Sequence, residues 1–147
     1  VKTEVYEGDG VRFEYPADWT IESTDEDEVT TIDVQHPDGV AFVIVRSDQS
    51  RPDPEYVADV ALEAMREEYP DLDASPIVET LGEHVVTGHD VEFFSLDVPN
   101  AAAIRSFRTP SRTVFLFGQW SELGGDKVPG LVRRVLGAVE VLEDGAP

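Results

Sequence analysis

His36-Pro37-Asp38-Gly39-Val40-Ala41-Phe42-Val43-Ile44-Val45 decides the fold of this chain. A short loop ending in Asp-Gly, with a run of β-branched and aromatic residues behind it, marks an antiparallel hairpin. Residues 29–35 supply the first arm and residues 40–46 the second. The second arm is apolar at every position from Val40 to Val45. A strand without a polar face predicts a central place in a sheet covered from both sides. Thr113-Val114-Phe115-Leu116-Phe117 has the same character and predicts another such strand.

Before the hairpin, Val11, Phe13 and Tyr15 alternate with polar residues, which predicts a half-buried strand. Pro16-Ala17-Asp18 turns the chain, and Trp19 and Ile21 return to the apolar layer; residues 3–7 read as a short edge strand. After the hairpin, Asp53 precedes Pro54 and Glu55, the combination of N-cap, first-turn proline and acid that opens a helix. Ala58, Ala61, Leu62, Met65 and Tyr69 form its buried stripe, and Pro70 ends it. Candidate strands then follow at 76–81, 84–87, 91–98, 101–109 and 112–120. Gly88-His89-Asp90, Pro99-Asn100 and Thr109-Pro110-Ser111 read as the turns of an antiparallel meander. A second helix begins at about Lys127 with Asp126 as N-cap. Val128, Leu131, Val132, Val135 and Leu136 are its stripe, and Gly137 its stop. The expectation is one domain, 1–147, of the α+β class. Its form is a three-layer α/β/α sandwich, with a mainly antiparallel sheet of about six to seven strands and two main helices. The alternative is a two-layer sheet with both helices on one face.

The chain has 147 residues, and 31 acids against 11 Lys and Arg give a net charge of −20. That balance excludes nucleic-acid binding, which needs cations to displace phosphate counterions, and disfavours anionic membrane surfaces. A fold of this mass exposes about 7,500 Å², so net charges lie roughly 19 Å apart. Such repulsion is costly at low salt and screened in brine, where the Debye length falls to about 3 Å at 1 M. The source is therefore expected to be a salt-in halophile, archaeal, and stability is expected to rise with salt. The apolar fraction of 41% matches an ordinary globular chain. There is no cysteine, hence no thiolate chemistry, and no apolar run long enough to span a membrane. A start at or near residue 1 implies a cytoplasmic protein; a lipobox upstream of Val1 implies a lipid-anchored extracellular domain.

Gly10-Val11-Arg12-Phe13-Glu14-Tyr15-Pro16-Ala17-Asp18-Trp19 resembles the aromatic-strand, Tyr-Pro, Trp opening of the PsbP-like superfamily. That group is named for the extrinsic subunit of photosystem II and includes Mog-type Ran-binding proteins and small bacterial lipoproteins. The order of elements fits over residues 8–142. The resemblance implies an antiparallel sheet between helices and an accessory, mostly non-enzymatic role, and it supplies no site. No residue can be matched to the Ran-binding role.

Candidate chemistry is sparse. His84, His89 and Asp90, with Glu83, are the densest set of metal-ligand types, and zinc needs about three converging protein ligands. They lack a His-Glu-x-x-His spacing and read as a surface hairpin, with a metal-assisted hydrolase as the alternative function. Asp25-Glu26-Asp27-Glu28 reads as a solvated loop rather than a cation site, and His36 as solvated. Paired carboxylates such as Glu14 with Glu92 depend on the fold for their placement. No serine sits in a Gly-x-Ser-x-Gly elbow, and Gly124-Gly125 lacks the rest of a phosphate loop. Trp19 and Trp120 read as core; if Trp120 ends its strand exposed, it is the candidate binding anchor. The expected function is a non-catalytic accessory or binding domain for a protein or small ligand, with no cofactor.

Overall fold

The computed structural model describes residues 2–143. The hairpin at Asp38-Gly39 forms, joining β4 (Val29–Gln35) to β5 (Ala41–Asp48) in antiparallel register. Before it lie β1 (Thr3–Gly8), β2 (Val11–Pro16) and β3 (Thr20–Glu26). After it come α1 (Pro54–Glu68), β6 (Asp73–Leu81), β7 (His84–Ser95), β8 (Val98–Arg108), β9 (Thr113–Ser121), α2 (Val128–Gly137) and β10 (Glu140–Val141). Seven strands form one antiparallel sheet in the order β3-β4-β5-β9-β8-β7-β6, and β1-β2-β10 form a second, smaller one. The fold is α+β. The two apolar runs, β5 and β9, lie side by side inside the large sheet.

Alternation along β5 divides the interior in two. Val43 and Val45 join a core packed by β2 and α2, with Phe13, Ile32, Leu116, Val132 and Leu136. Phe42 and Ile44 border a second core, where Ala58, Leu62 and Met65 of α1 pack on Val91, Phe93, Ile104 and Phe117. Gly118 lets α2 approach β9: a Cβ there would lie 2.4 Å from a Val132 methyl. The α1 start is as expected, with Asp53 Oδ1 accepting the Glu55 N–H at 3.0 Å.

Five expectations need correction. Residues 84–95 are one continuous strand, so Gly88-His89-Asp90 is strand and not a turn. The chain reverses instead at Leu96-Asp97, both left-handed (φ 52° and 65°), and Pro99-Asn100 lie inside β8. A leucine in that conformation is not a turn signal. Asp126 does not cap α2: the cap position is Lys127, without a side-chain hydrogen bond, and the chain arrives through a 3-10 turn over Glu122–Gly124. Asp25 and Glu26 end β3, and only the bend beyond them, with Asp27 at φ 54°, is turn. Lastly, Phe42 and Ile44 are only half-buried, because α1 lies over β7, β8 and β9 and not over β5.

Candidate functional site

The continuity of β7 settles where the histidines go. Side chains five apart on a strand face opposite ways. His84 stacks on Phe107 (centroids 4.1 Å), a member of the α2-side core. His89 points to α1, its Nε2 2.9 Å from Asp59 Oδ1. Asp90 accepts a 2.7 Å bond from Arg105 Nη2. The three therefore do not converge, and among the described residues no group of three or more His, Asp or Glu side chains is placed to hold a metal ion. Glu14 lies on the small sheet and Glu92 on the large one. Asp25 is bonded by Thr30 (2.6 Å), His36 Nδ1 accepts the Asp38 N–H, and Gly124 packs on Val40 and Val128.

Two arginines that the sequence reading passed over turn out to be buried. Arg105, 1% exposed, stands opposite Gly88 on β7. Its Nε donates to Glu79 on β6 at 2.5 Å and its Nη1 to the carbonyls of His89 and Ile104, completing the set with Asp90. Reaching β6 from β8 means crossing β7, and the residue crossed has no side chain. The backbones are close there too, since a Cβ on Gly88 would come within 1.7 Å of the Ile104 carbonyl oxygen. Four well-placed acceptors satisfy the desolvated guanidinium. Arg112 fastens the β1–β2 turn to the large sheet, with Nη1 donating to the Asp9 carbonyl (2.7 Å) and to Ser47 (3.0 Å). Beside it, hydrogen bonding from Ser111, helped by Thr109 and the Arg112 charge, holds the Glu143 carboxyl below its ordinary range. Burial, and then Asp9, raises the Tyr6 hydroxyl.

Trp120 packs against the α2-side core and keeps one edge at the surface. Trp19 is core (5% exposed), whereas Trp120 is half-buried at the end of β9 and lines an open cleft of about 480 Å³. Strand register sets Asp73, Glu92, Ala101 and Trp120 in one row across β6, β7, β8 and β9. Phe94, 70% exposed, and Pro129 at the start of α2 form the walls, with Asn100 and Ser121 as neutral polar groups. Arg133 lies 5.3 Å from the indole centroid. Asp71, Glu122 and Asp126 join Asp73 and Glu92 around it, so the cleft sets aromatic and proline surface within a ring of carboxylates. The signal available in the sequence was Trp120 at the end of an otherwise apolar strand.

No protein-family model matches the chain, and no curated protein does. Solved structures do. Cyanobacterial PsbP (CyanoP) from Synechocystis sp. PCC 6803 matches with a TM-score of 0.63 at 13% identity, over 95% of this chain and 92% of its own. The fold is PsbP-like. LpqN, involved in cell envelope biogenesis of Mycobacterium tuberculosis, matches at 0.58 and 12% identity, over 90% of this chain and 83% of its own. A Bacteroides thetaiotaomicron VPI-5482 protein matches at 0.63 and 14% identity over 99% of this chain, which spans 50% of that protein's length. At these identities the PsbP-like likeness is one of fold. No helix among the described residues is long and apolar enough to cross a membrane.

Proposed function

We propose that this PsbP-like chain is a non-catalytic accessory domain that binds a protein or small ligand at the Trp120 end of its large sheet. The carrying observation is the cleft itself, where a half-buried indole, the exposed Phe94 ring and the Asn100 and Ser121 polar groups line one space. Aromatic anchors in concave surroundings are the residues that most often carry binding energy. The separation of His84, His89 and Asp90 supports binding over metal-assisted hydrolysis. We read the layering as an α/β/α sandwich and the acid excess as adaptation of a cytoplasmic protein to molar salt. Melting temperature is then expected to rise between about 0.1 and 2 M KCl as charges are screened, and a flat profile would remove the salt reading.

The binding proposal is tested with a small-fragment set followed in amide and indole NMR spectra of the whole chain. Hits are expected to shift the Trp120 indole and the amides of Phe94 and Asn100, and Trp120→Ala is expected to lose them. Stoichiometric zinc or manganese on the purified protein, lost in His89→Ala, would overturn the proposal in favour of an enzyme.

A further inference from the structure

The side of the large sheet that carries α1 is only part roofed. Seven strands about 4.8 Å apart span about 29 Å, whereas one helix with its side chains is about 10–12 Å across. α1 takes β7, β8 and β9, so among the described residues no second layer lies over β5, β4 and β3. Next to α1 the floor is apolar: Phe42 stacks on Phe117 at 5.7 Å, Phe115 follows at 6.3 Å, and Ile44 pairs with Phe117 in register. α1 turns a second apolar stripe to this floor, separate from the buried one. Tyr56, Val60 and Ala64 recur every four residues, with Tyr56 66% and Val60 49% exposed. Together they bound a trench of about 740 Å³. In a chain with 31 acids among 147 residues, the exposed Tyr56 and Val60 beside half-buried Phe42 and Ile44 are the unusual feature.

Farther from α1 the same face becomes acidic. Register sets Asp33 beside Ile44, and Glu22 directly opposite Asp33. Like charges directly opposite on neighbouring strands repel, and neither carboxylate has an ion-pair partner among the described residues. Arg46, the one cation lining the trench among the described residues, is held over Phe115 at 5.4 Å and donates to Thr31 at 3.4 Å.

We propose that this trench receives an amphipathic helix from a protein partner, independently of the Trp120 cleft. Its apolar side chains rest on Phe42 and Ile44 under Tyr56 and Val60, and its Lys or Arg flank lies over Asp33 and Glu22. From Phe42 to Asp48 the floor runs about 20 Å, the length of about thirteen helical residues. A helix there takes the place next to α1 that the chain itself leaves empty, and groove docking of this kind reads apolar anchors every three or four residues. A second copy of the chain is the poorer occupant, since it brings another net charge of −20.

Because an acidic chain attracts any cation, the test compares two labelled peptides of about fourteen residues, the length the trench needs. Both contain only Leu and Lys in equal composition; one places Leu at helical spacing and the other is scrambled. In about 0.5 M NaCl, where long-range charge is screened, the patterned peptide is expected to bind the whole chain about tenfold tighter than its scramble. Phe42→Ser with Tyr56→Ser, which keeps the net charge, loses that advantage, while Val78→Ser, an exposed apolar site elsewhere, keeps it. On the wild-type protein the patterned peptide shifts the amides of Phe42, Ile44, Tyr56 and Val60. Equal binding of the two peptides, shifts confined to other surfaces, displacement by dodecanoate, or a dimer of the free chain that Phe42→Ser dissociates would each overturn the proposal.

Discussion

Two parts of the large sheet lie beyond the helix that covers their own face, and the chain treats them differently. On the α2 side, α2 packs on β5 and β9, and the surface toward β6 is closed by Arg105 laid across Gly88 between Glu79 and Asp90. On the α1 side, the surface toward β3 keeps Phe42 and Ile44 only half-buried, and Arg46, bonded to Thr31 on β4 and held over Phe115, covers just one end of it. The first region has spent its polar groups on one another and offers a partner little. The second leaves apolar floor and unpaired acids side by side, the combination that a partner's amphipathic surface satisfies. A region's availability for binding thus follows from whether its own residues already satisfy one another.

Substitutions probe the two regions in order of expected effect. Gly88→Ala forces a methyl into the Ile104 carbonyl, and because backbone must move it is expected to cost about 3 kcal/mol in urea denaturation. A cost near zero would mean that β7 and β8 can part at Gly88 without penalty. Arg105→Met keeps the bulk and removes the charge. Its partners Glu79 and Asp90 are 33% and 42% exposed, so water takes over part of their solvation and the loss is expected to be about 1–2 kcal/mol. Phe42→Ser, in the open region, is expected to cost no more than about 1 kcal/mol while removing patterned-peptide binding. A larger loss would show that the open floor is part of the core. Smallest is a pH effect at Glu143. Its carboxyl is depressed in the folded state by the Ser111 hydrogen bond, so the stability it adds is present above the unfolded value of about 4.3 and is lost as pH falls through the folded value. Melts of Glu143→Gln are expected to fall less than wild type from pH 5 downward, and parallel curves would deny the contact its role.

The legible parts of the fold are those where one residue type has one use. Asp53-Pro54-Glu55 announced α1, and the apolar runs at Val40–Val45 and Val114–Phe117 announced two strands inside a sheet. The misread parts are those where a residue served an unusual end. Gly88 resembles a turn glycine, but what it permits is a close approach of β7 to the β8 backbone, beside an arginine that reaches on to β6, and no local pattern encodes that. Leu96 takes a left-handed conformation that leucine seldom adopts, so the real turn was hidden while Pro99-Asn100 imitated one. Burial on both faces was inferred for β5 from its composition, yet composition cannot distinguish a face covered by this chain from one awaiting another. Trp120 was placed correctly on its strand, and its exposure followed only from where β9 ends relative to α2.

On the function proposed above, the protein binds at surfaces that its own layers leave open. The most direct test is an amide shift map of the whole chain with the fragment set. The expected result is a cluster of shifts at Trp120, Phe94 and Asn100, with Gly88 and Arg105 unmoved. Shifts centred on His84, His89 and Asp90 that appear only with added zinc would contradict it.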